Sequence, residues 1–95
     1  MAVFMQIRLP VTTGQYDALM ARMRREGTDF FHGCLAHVAV PEPGGGMLVT
    51  DVWETEDDQQ AFERRMLPIA AELGLASPAN PPQVAKVHAF WLPGG

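Results

Sequence analysis

The sequence predicts an α+β fold of the split β-α-β type, in which a four-stranded antiparallel sheet carries two helices on one face. Four segments have the apolar or alternating pattern of strands, and two segments place apolar residues at helical spacing. Their order along the chain is strand, helix, strand, strand, helix, strand. A chain of 95 residues forms one core, so we expect residues 1–95 to be a single domain.

The first strand and the first helix are separated by a proline. Ala2 to Leu9 alternates as a strand does, and Pro10 ends it. Thr12 or Thr13 can cap a helix from about Gly14 to Glu26, and a glycine follows that helix. Apolar residues at helical spacing give this helix its inner face: Tyr16, Leu19, Met20 and Met23.

The second and third strands are predicted to form a hairpin. Phe30 to Val40 is the second strand, and Met47 to Glu54 is the third. The segment 41–46 between them contains two prolines and three glycines, which is typical of a turn. Consecutive strands joined by so short a turn pair in antiparallel fashion.

Thr55 is placed to cap the second helix, with Asp58 in the position of a capping-box acid. Pro68 lies inside this helix and is expected to kink it, because proline removes one backbone hydrogen bond. Gly74 is expected to end it. A proline-rich loop over 75–83 then leads to the last strand, Val84 to Leu92, which completes a ferredoxin-like plan.

The composition favours a homodimer and excludes several classes of protein. The chain is 47% hydrophobic and 19% charged, and a buried interface between subunits would explain the apolar excess. A net charge of −4 without a basic run argues against nucleic-acid binding. One cysteine excludes an internal disulfide. The chain has neither a membrane-spanning stretch nor a signal-peptide pattern, so we expect a cytoplasmic protein.

Side chains alternate across a strand, so each predicted strand divides into two rows. The more uniformly apolar or small rows are expected to pack on the helices: Val3, Met5, Ile7, Leu9, Cys34, Ala36, Val38, Val40, Leu48, Thr50, Val52, Ala85, Val87, Ala89 and Trp91. The mixed rows would form the opposite face, with Phe4, Gln6, Arg8, Leu35, His37, Asp51, Trp53, Lys86, His88 and Phe90. We expect this second face to line a pocket under the sheet, closed by a partner subunit.

His37 and His88 are the candidate general bases, with Asp51 as the carboxylate that fixes the imidazole tautomer. The alternative interpretation is a pair of histidines satisfied by hydrogen bonds in a half-buried interface. Two histidines and a carboxylate could hold a metal in principle, but their spacing matches no known motif and no metal is expected. Cys34 is interpreted as a small buried hydrophobe.

The other candidates would bind the substrate. Trp53 and Phe90 could stack on a flat ligand, or could simply pack in a core or interface. Arg8 and Lys86 could hold an anion, or could form ion pairs on the surface. The remaining pocket candidates on the same face are Gln6, Phe4 and Leu35.

The segment Asp51-Val52-Trp53-Glu54-Thr55, running into Ala61-Phe62 and Arg65-Met66-Leu67-Pro68, resembles the strand-to-helix segment of the dimeric α+β-barrel superfamily. Gly33 to Ala39 and the pair Val87-His88 are similar as well. Within that superfamily the resemblance is to proteins near the antibiotic biosynthesis monooxygenases, and it covers nearly the whole chain in element order.

This resemblance implies a homodimer and an enzyme without a tightly bound organic cofactor. Superfamily members include monooxygenases of aromatic polyketides, haem-degrading enzymes, cyclases and isomerases, and the resemblance places Trp53 in the pocket. The asparagine that the monooxygenases use at the sheet has no counterpart here, and the second helix lacks the histidine of the haem-degrading members.

Together these expectations describe proton abstraction by His37 or His88 from an aromatic or polyketide-like substrate, followed by oxygenation, cyclisation or isomerisation. Trp53 and Phe90 would hold the substrate, and Arg8 or Lys86 would stabilise the anion that forms. The alternative is a non-catalytic dimer that binds a ligand or has a structural role.

Overall fold

The computed structural model describes residues 1–94, and its element order confirms the predicted fold. The elements are β1 (Val3–Leu9), α1 (Thr13–Arg25), a short 3-10 helix (Thr28–Phe31), β2 (Cys34–Pro41), β3 (Met47–Trp53), α2 (Glu56–Glu72) and β4 (Gln83–Lys86). The four strands form one sheet in the order β2-β3-β1-β4, and every neighbouring pair is antiparallel. This is the ferredoxin-like α+β arrangement.

Both helices begin at the threonines that the sequence indicated. Oγ1 of Thr12 accepts from the backbone N–H of Gln15, whose side chain accepts in turn from the N–H of Thr12, so α1 starts with a complete capping box. Oγ1 of Thr55 accepts from the N–H of Asp58 at the start of α2. Pro68 lies inside α2 as predicted, and the kink remains a prediction.

Two of the predicted strands are longer than the observed ones by several residues. The second was predicted from Phe30, but 28–31 forms a 3-10 turn and the strand starts at Cys34. Phe30 is buried in a cluster with both helices, and Gly33 has a φ of +85°, so the chain turns before it joins the sheet. The last strand was predicted over 84–92, but β4 ends at Lys86 because β1 has no residues left with which to pair.

The pairing of β1 with β3 identifies the row that faces the helices. Val3 lies opposite Trp53, Met5 opposite Asp51, and Ile7 opposite Val49, and directly paired residues point to the same side of a sheet. Val3, Met5, Val49 and Trp53 are all buried in the clusters beneath the helices. The assignment of Asp51 and Trp53 to the open face was therefore wrong, whereas the β1 row was assigned correctly.

A β-bulge at Leu35 explains the error in β2. Cys34 pairs with Trp53 and Ala36 pairs with Val52, so two residues of β2 span one step of β3. Cys34 and His37 consequently share the helix side, although they are three positions apart and a regular strand would place them on opposite faces. Beyond the bulge, Ala36, Val38 and Val40 lie on the open face, which reverses their predicted positions.

The assignment for β4 is also corrected. Lys86 pairs with Val3 and Val84 pairs with Met5, so both belong to the helix-side row, while Ala85 lies on the open face. Val87 donates its backbone N–H to the carbonyl oxygen of Ala2 just after the strand, and residues 88–94 lie outside any strand.

The core lies between the sheet and the two helices, in three neighbouring clusters. They are centred on Leu19, Met23, Phe30 and Ile69; on Val3, Met5 and Trp53; and on Val11, Met47 and Val49. Within residues 1–94 the open face of the sheet has no such cover: Val38 is 57% exposed and Val40 is 44% exposed. Neither helix of the described chain has the length and apolarity that a membrane crossing requires.

Candidate functional site

A cavity of about 460 Å³ lies between the sheet and the helices, on the side opposite to the one predicted. Its volume is within the ~300–1,000 Å³ of ligand pockets. Most of the wall is apolar, with Met5, Ile7 and Val49 from the sheet and Leu19, Met20 and Phe62 from the helices. The loop 75–82, which follows α2, forms one side of it.

Asp51 and His37 form a hydrogen-bonded pair in the cavity wall. They are direct partners across β2 and β3, so both side chains point to the helix side. Nδ1 of His37 lies 2.5 Å from Oδ1 of Asp51, whose side chain is only 3% exposed. The indole Nε1–H of Trp53 donates to Oδ2 of Asp51 over 3.3 Å. Because a carboxylate only accepts, Nδ1 of His37 carries the proton and Nε2 is left as an acceptor.

Tyr16 extends this arrangement from α1. Its hydroxyl lies 2.5 Å from Nε2 of His37, and the two rings are nearly parallel, with an angle of 5° between their planes. Burial, and then the charge of Asp51, raise the pKa of Tyr16 above its ordinary value of 10.0. Tyr16 is therefore a neutral phenol at physiological pH. We call Tyr16, His37 and Asp51 the relay triad.

α2 contributes a second polar feature to the cavity. Gln59 is 4% exposed, and its Nε2 donates to Oε2 of Glu63 over 3.1 Å. Beside it, the rings of Trp53 and Phe62 pack 5.0 Å apart between centroids. The described lining contains two carboxylates, those of Asp51 and Glu63, and no lysine or arginine.

Three predicted site residues thus come together at the cavity: His37, Asp51 and Trp53. The other predicted residues lie elsewhere. Arg8 is on the open face, 72% exposed, and pairs with Glu42. Gln6 and Phe4 are on that face too, and Gln6 donates to the hydroxyl of Thr50.

The remaining predicted residues lie at the bulge, on the edge strand and after it. Leu35 is the extra residue of the bulge and is 43% exposed. Lys86 is exposed on the edge strand β4, and His88 and Phe90 are exposed beyond its end. The functional roles of these residues remain predictions.

Cys34 lines the cavity, where burial raises the pKa of its thiol to about 11. The thiol is thus a weak nucleophile at neutral pH, in agreement with its interpretation as a small hydrophobe. Over residues 1–94, no cluster of three histidine, cysteine, aspartate or glutamate side chains is arranged to hold a metal ion.

Sequence reasoning missed Tyr16, Gln59 and Glu63 as site residues. Tyr16 was assigned to the core face of α1, which is correct, but that face also borders the cavity. The signal available in the sequence is the row of Met47, Val49, Asp51 and Trp53, in which one aspartate lies among large apolar residues. An aspartate in a buried row requires polar partners, and its partner His37 in turn contacts Tyr16, a polar residue on the inner face of α1.

Comparison with known proteins gives the fold a context. No protein-family model matches the chain, and no curated protein matches it by sequence. Among solved structures, a proposed antibiotic biosynthesis monooxygenase from Chloroflexus aurantiacus has a TM-score of 0.64 and 22% identity, over 96% of this chain and 98% of that one. A similar one from Deinococcus radiodurans has a TM-score of 0.60 and 12% identity, covering 97% of each chain.

SnoaB, a cofactor-independent oxygenase from Streptomyces nogalater, has a TM-score of 0.59 and 18% identity, over 97% of this chain and 95% of that one. The chain therefore shares its ferredoxin-like α+β fold with proteins named as antibiotic biosynthesis monooxygenases. At these identities, the likeness establishes the fold.

Proposed function

We propose that this protein is a small-molecule enzyme that abstracts a proton from an aromatic or polyketide-like substrate bound between its sheet and helices. The observation that carries the proposal is the His37–Asp51 pair in the wall of an apolar cavity of about 460 Å³. An imidazole oriented by a buried carboxylate is a general base suited to neutral pH. The chemistry requires no tightly bound organic cofactor.

The cavity wall favours an uncharged ligand. Its two carboxylates, Asp51 and Glu63, have no lysine or arginine beside them in the described lining, so a ligand that arrives as an anion would be repelled. Phe62, whose ring packs against the buried indole of Trp53, can present a flat surface to an aromatic ring. Gln59 and Glu63 can hydrogen-bond its polar substituents. Arg8 faces away from the cavity, and Lys86 is exposed on the edge strand β4. Neither residue is part of this proposal.

Removal of the proton leaves a carbanion or phenolate, which can react with oxygen, cyclise, or regain the proton at another position. The shared fold supports this range, because SnoaB is named as a cofactor-independent oxygenase. Positive charge on protonated His37 would stabilise the anion while it lasts.

The same proposal includes a homodimer formed through the open face of the sheet. Val38 and Val40 are exposed there beside Phe4, Leu48 and Val52. An apolar surface of this kind needs a cover, and a second copy of the same face would supply one.

Anthrone, a neutral tricyclic ketone with an acidic CH₂ group, provides a test. We expect the protein to accelerate exchange of the CH₂ protons in anaerobic D₂O, measured by ¹H NMR, with saturation kinetics. His37→Gln should lower the rate at least about 100-fold, which is the lower end for a general base. His32→Gln, at a histidine whose side chain is 79% exposed and outside the cavity, is the matched control.

Binding is followed separately by the fluorescence of Trp53. In a Trp91→Phe background Trp53 is the only tryptophan, and it lies in the cavity wall. Binding without accelerated exchange would favour the non-catalytic ligand-binding protein. Failure of anthrone and other neutral aromatic compounds to perturb Trp53 would refute the proposed site.

A further inference from the structure

Both ring nitrogens of His37 are occupied by protein groups. Nδ1 faces Oδ1 of Asp51, and Nε2 faces the hydroxyl of Tyr16, each at 2.5 Å. A base that accepts a proton directly from a ligand needs a nitrogen that the ligand can reach. A ligand could reach Nε2 only if Tyr16 moved away, but Tyr16 packs against the buried cluster of Val11, Met47 and Val49.

The buried carboxylate of Asp51 determines the direction of these hydrogen bonds. The carboxylate of Asp51 accepts from Nδ1–H, so neutral His37 has an acceptor at Nε2. Tyr16 therefore donates its single hydroxyl hydrogen to Nε2. The lone pairs of the Tyr16 oxygen remain available, and Tyr16 lines the cavity.

We propose that the Tyr16 hydroxyl oxygen takes the proton from the ligand, with His37 and Asp51 as a relay behind it. This inference rests on the proposed function and names the group that contacts the substrate. It also defines the class of substrate: an uncharged molecule whose reacting group is a hydrogen-bond donor or an acidic C–H, such as a phenol, an enol or an activated methylene.

The step conserves protons and charge. The O–H or C–H bond of the ligand breaks and its proton bonds to the Tyr16 oxygen. The original hydroxyl proton of Tyr16 moves to Nε2 of His37 at the same time. The products are a ligand anion and an imidazolium, and the latter is paired with the carboxylate of Asp51. The side chain of His37 is 31% exposed, so water can remove the proton afterwards.

Two small probes test this without knowledge of the natural substrate. 4-Nitrophenol carries an acidic hydroxyl and turns yellow on ionisation, whereas 4-nitroanisole has the same shape with a methyl ether in its place. Both would be titrated into the Trp91→Phe protein at a pH where free 4-nitrophenol is un-ionised. Quenching of Trp53 reports occupancy, and visible absorbance reports proton transfer. The variants are Tyr16→Phe and His37→Gln, with His32→Gln as the matched control.

We expect 4-nitrophenol to bind the parent protein about fivefold more tightly than 4-nitroanisole, as one hydrogen bond allows, and to ionise on binding. In Tyr16→Phe the preference and the ionisation should both disappear while both probes still bind. His37→Gln should abolish the ionisation, and His32→Gln should change nothing.

Ionisation that persists in Tyr16→Phe but is lost in His37→Gln would overturn this inference, because His37 would then meet the ligand directly. That result would leave the proposed function intact. Binding to the parent protein without ionisation would overturn the relay. If neither probe quenches Trp53, the proposed site fails, and this inference fails with it.

Discussion

Replacement of Asp51 is expected to have two separable effects, a loss of fold stability and a change in the tautomer of His37. In Asp51→Ala the donors of Trp53 and His37 both lose their acceptor. Trp53 is 1% exposed, so its N–H would be left without a partner at a cost of about 1–3 kcal/mol. His37 can form a hydrogen bond with water instead, so the loss of its bond to Asp51 adds about 1 kcal/mol to this cost. The free energy of unfolding should fall by about 2–4 kcal/mol, out of the roughly 5–14 kcal/mol typical of a chain this long.

Asp51→Asn keeps the shape of the side chain and gives the sharper result. Trp53 can only donate, so the amide oxygen must face it and the amide NH₂ must face Nδ1 of His37. Nδ1 then becomes an acceptor, and the ring proton moves to Nε2. The number of hydrogen bonds is conserved, so we expect a loss below about 1.5 kcal/mol together with an inverted tautomer.

Urea unfolding followed by circular dichroism measures the stability, and ¹⁵N NMR of the imidazole measures the tautomer. Asp17→Asn, at an exposed position on α1, should stay within about 0.5 kcal/mol of the parent protein. An Asp51→Ala protein as stable as the parent would refute the assignment of Asp51 as the shared acceptor. An unchanged tautomer in Asp51→Asn would refute the hydrogen-bond directions on which the relay triad depends.

Three further predictions concern other parts of the fold. Val38→Glu places a charge on the open face and should raise the dissociation constant of the proposed homodimer at least about 100-fold, as measured by analytical ultracentrifugation. Ala18→Glu, at an exposed position on α1, should leave that constant unchanged. A monomeric parent protein would contradict the dimer. Burial raises the pKa of Cys34 to about 11, so a thiol reagent should label it about 100-fold more slowly than free cysteine at pH 8. The labelling rate should continue to increase above pH 10. Rapid labelling of the folded protein at pH 8 would contradict this prediction, because it would show an accessible thiolate. Gly33→Ala should lower the free energy of unfolding in urea by about 1–3 kcal/mol, because φ is +85° and the Asp58 side chain occupies the space of the new methyl group. Adding Asp58→Ala to this variant should restore only the part of the loss that comes from that contact. A Gly33→Ala protein as stable as the parent would contradict the backbone conformation assigned to Gly33.

The fold was predictable because its signals are local. Thr12 and Thr55 cap helices through contacts three residues away, and the turn residues of 41–46 sit between two apolar runs. Each such signal needs only a short stretch of sequence. The order of the elements then leaves few ways to build one sheet.

The site was only partly predictable because it depends on pairing between strands. His37 and Asp51 were correctly placed on a common face, but that face was taken to be the open one. The bulge at Leu35 reverses the rows of β2, and nothing in the local sequence marks it. In β3, the buried Asp51 made a core row look mixed, although its hydrogen-bond partners are His37 in β2 and Trp53 in the same strand.

The bulge also has an evolutionary consequence. In the bulge two residues of β2 oppose one residue of β3, so the extra residue at Leu35 is absorbed locally and the pairs on both sides of it keep their faces. The same β2 sequence paired regularly from Cys34 onward would instead set Ala36 opposite Asp51 and turn His37 to the open face. The bulge therefore allows this strand to gain or lose one residue while the His37–Asp51 pair stays on the helix side of the sheet.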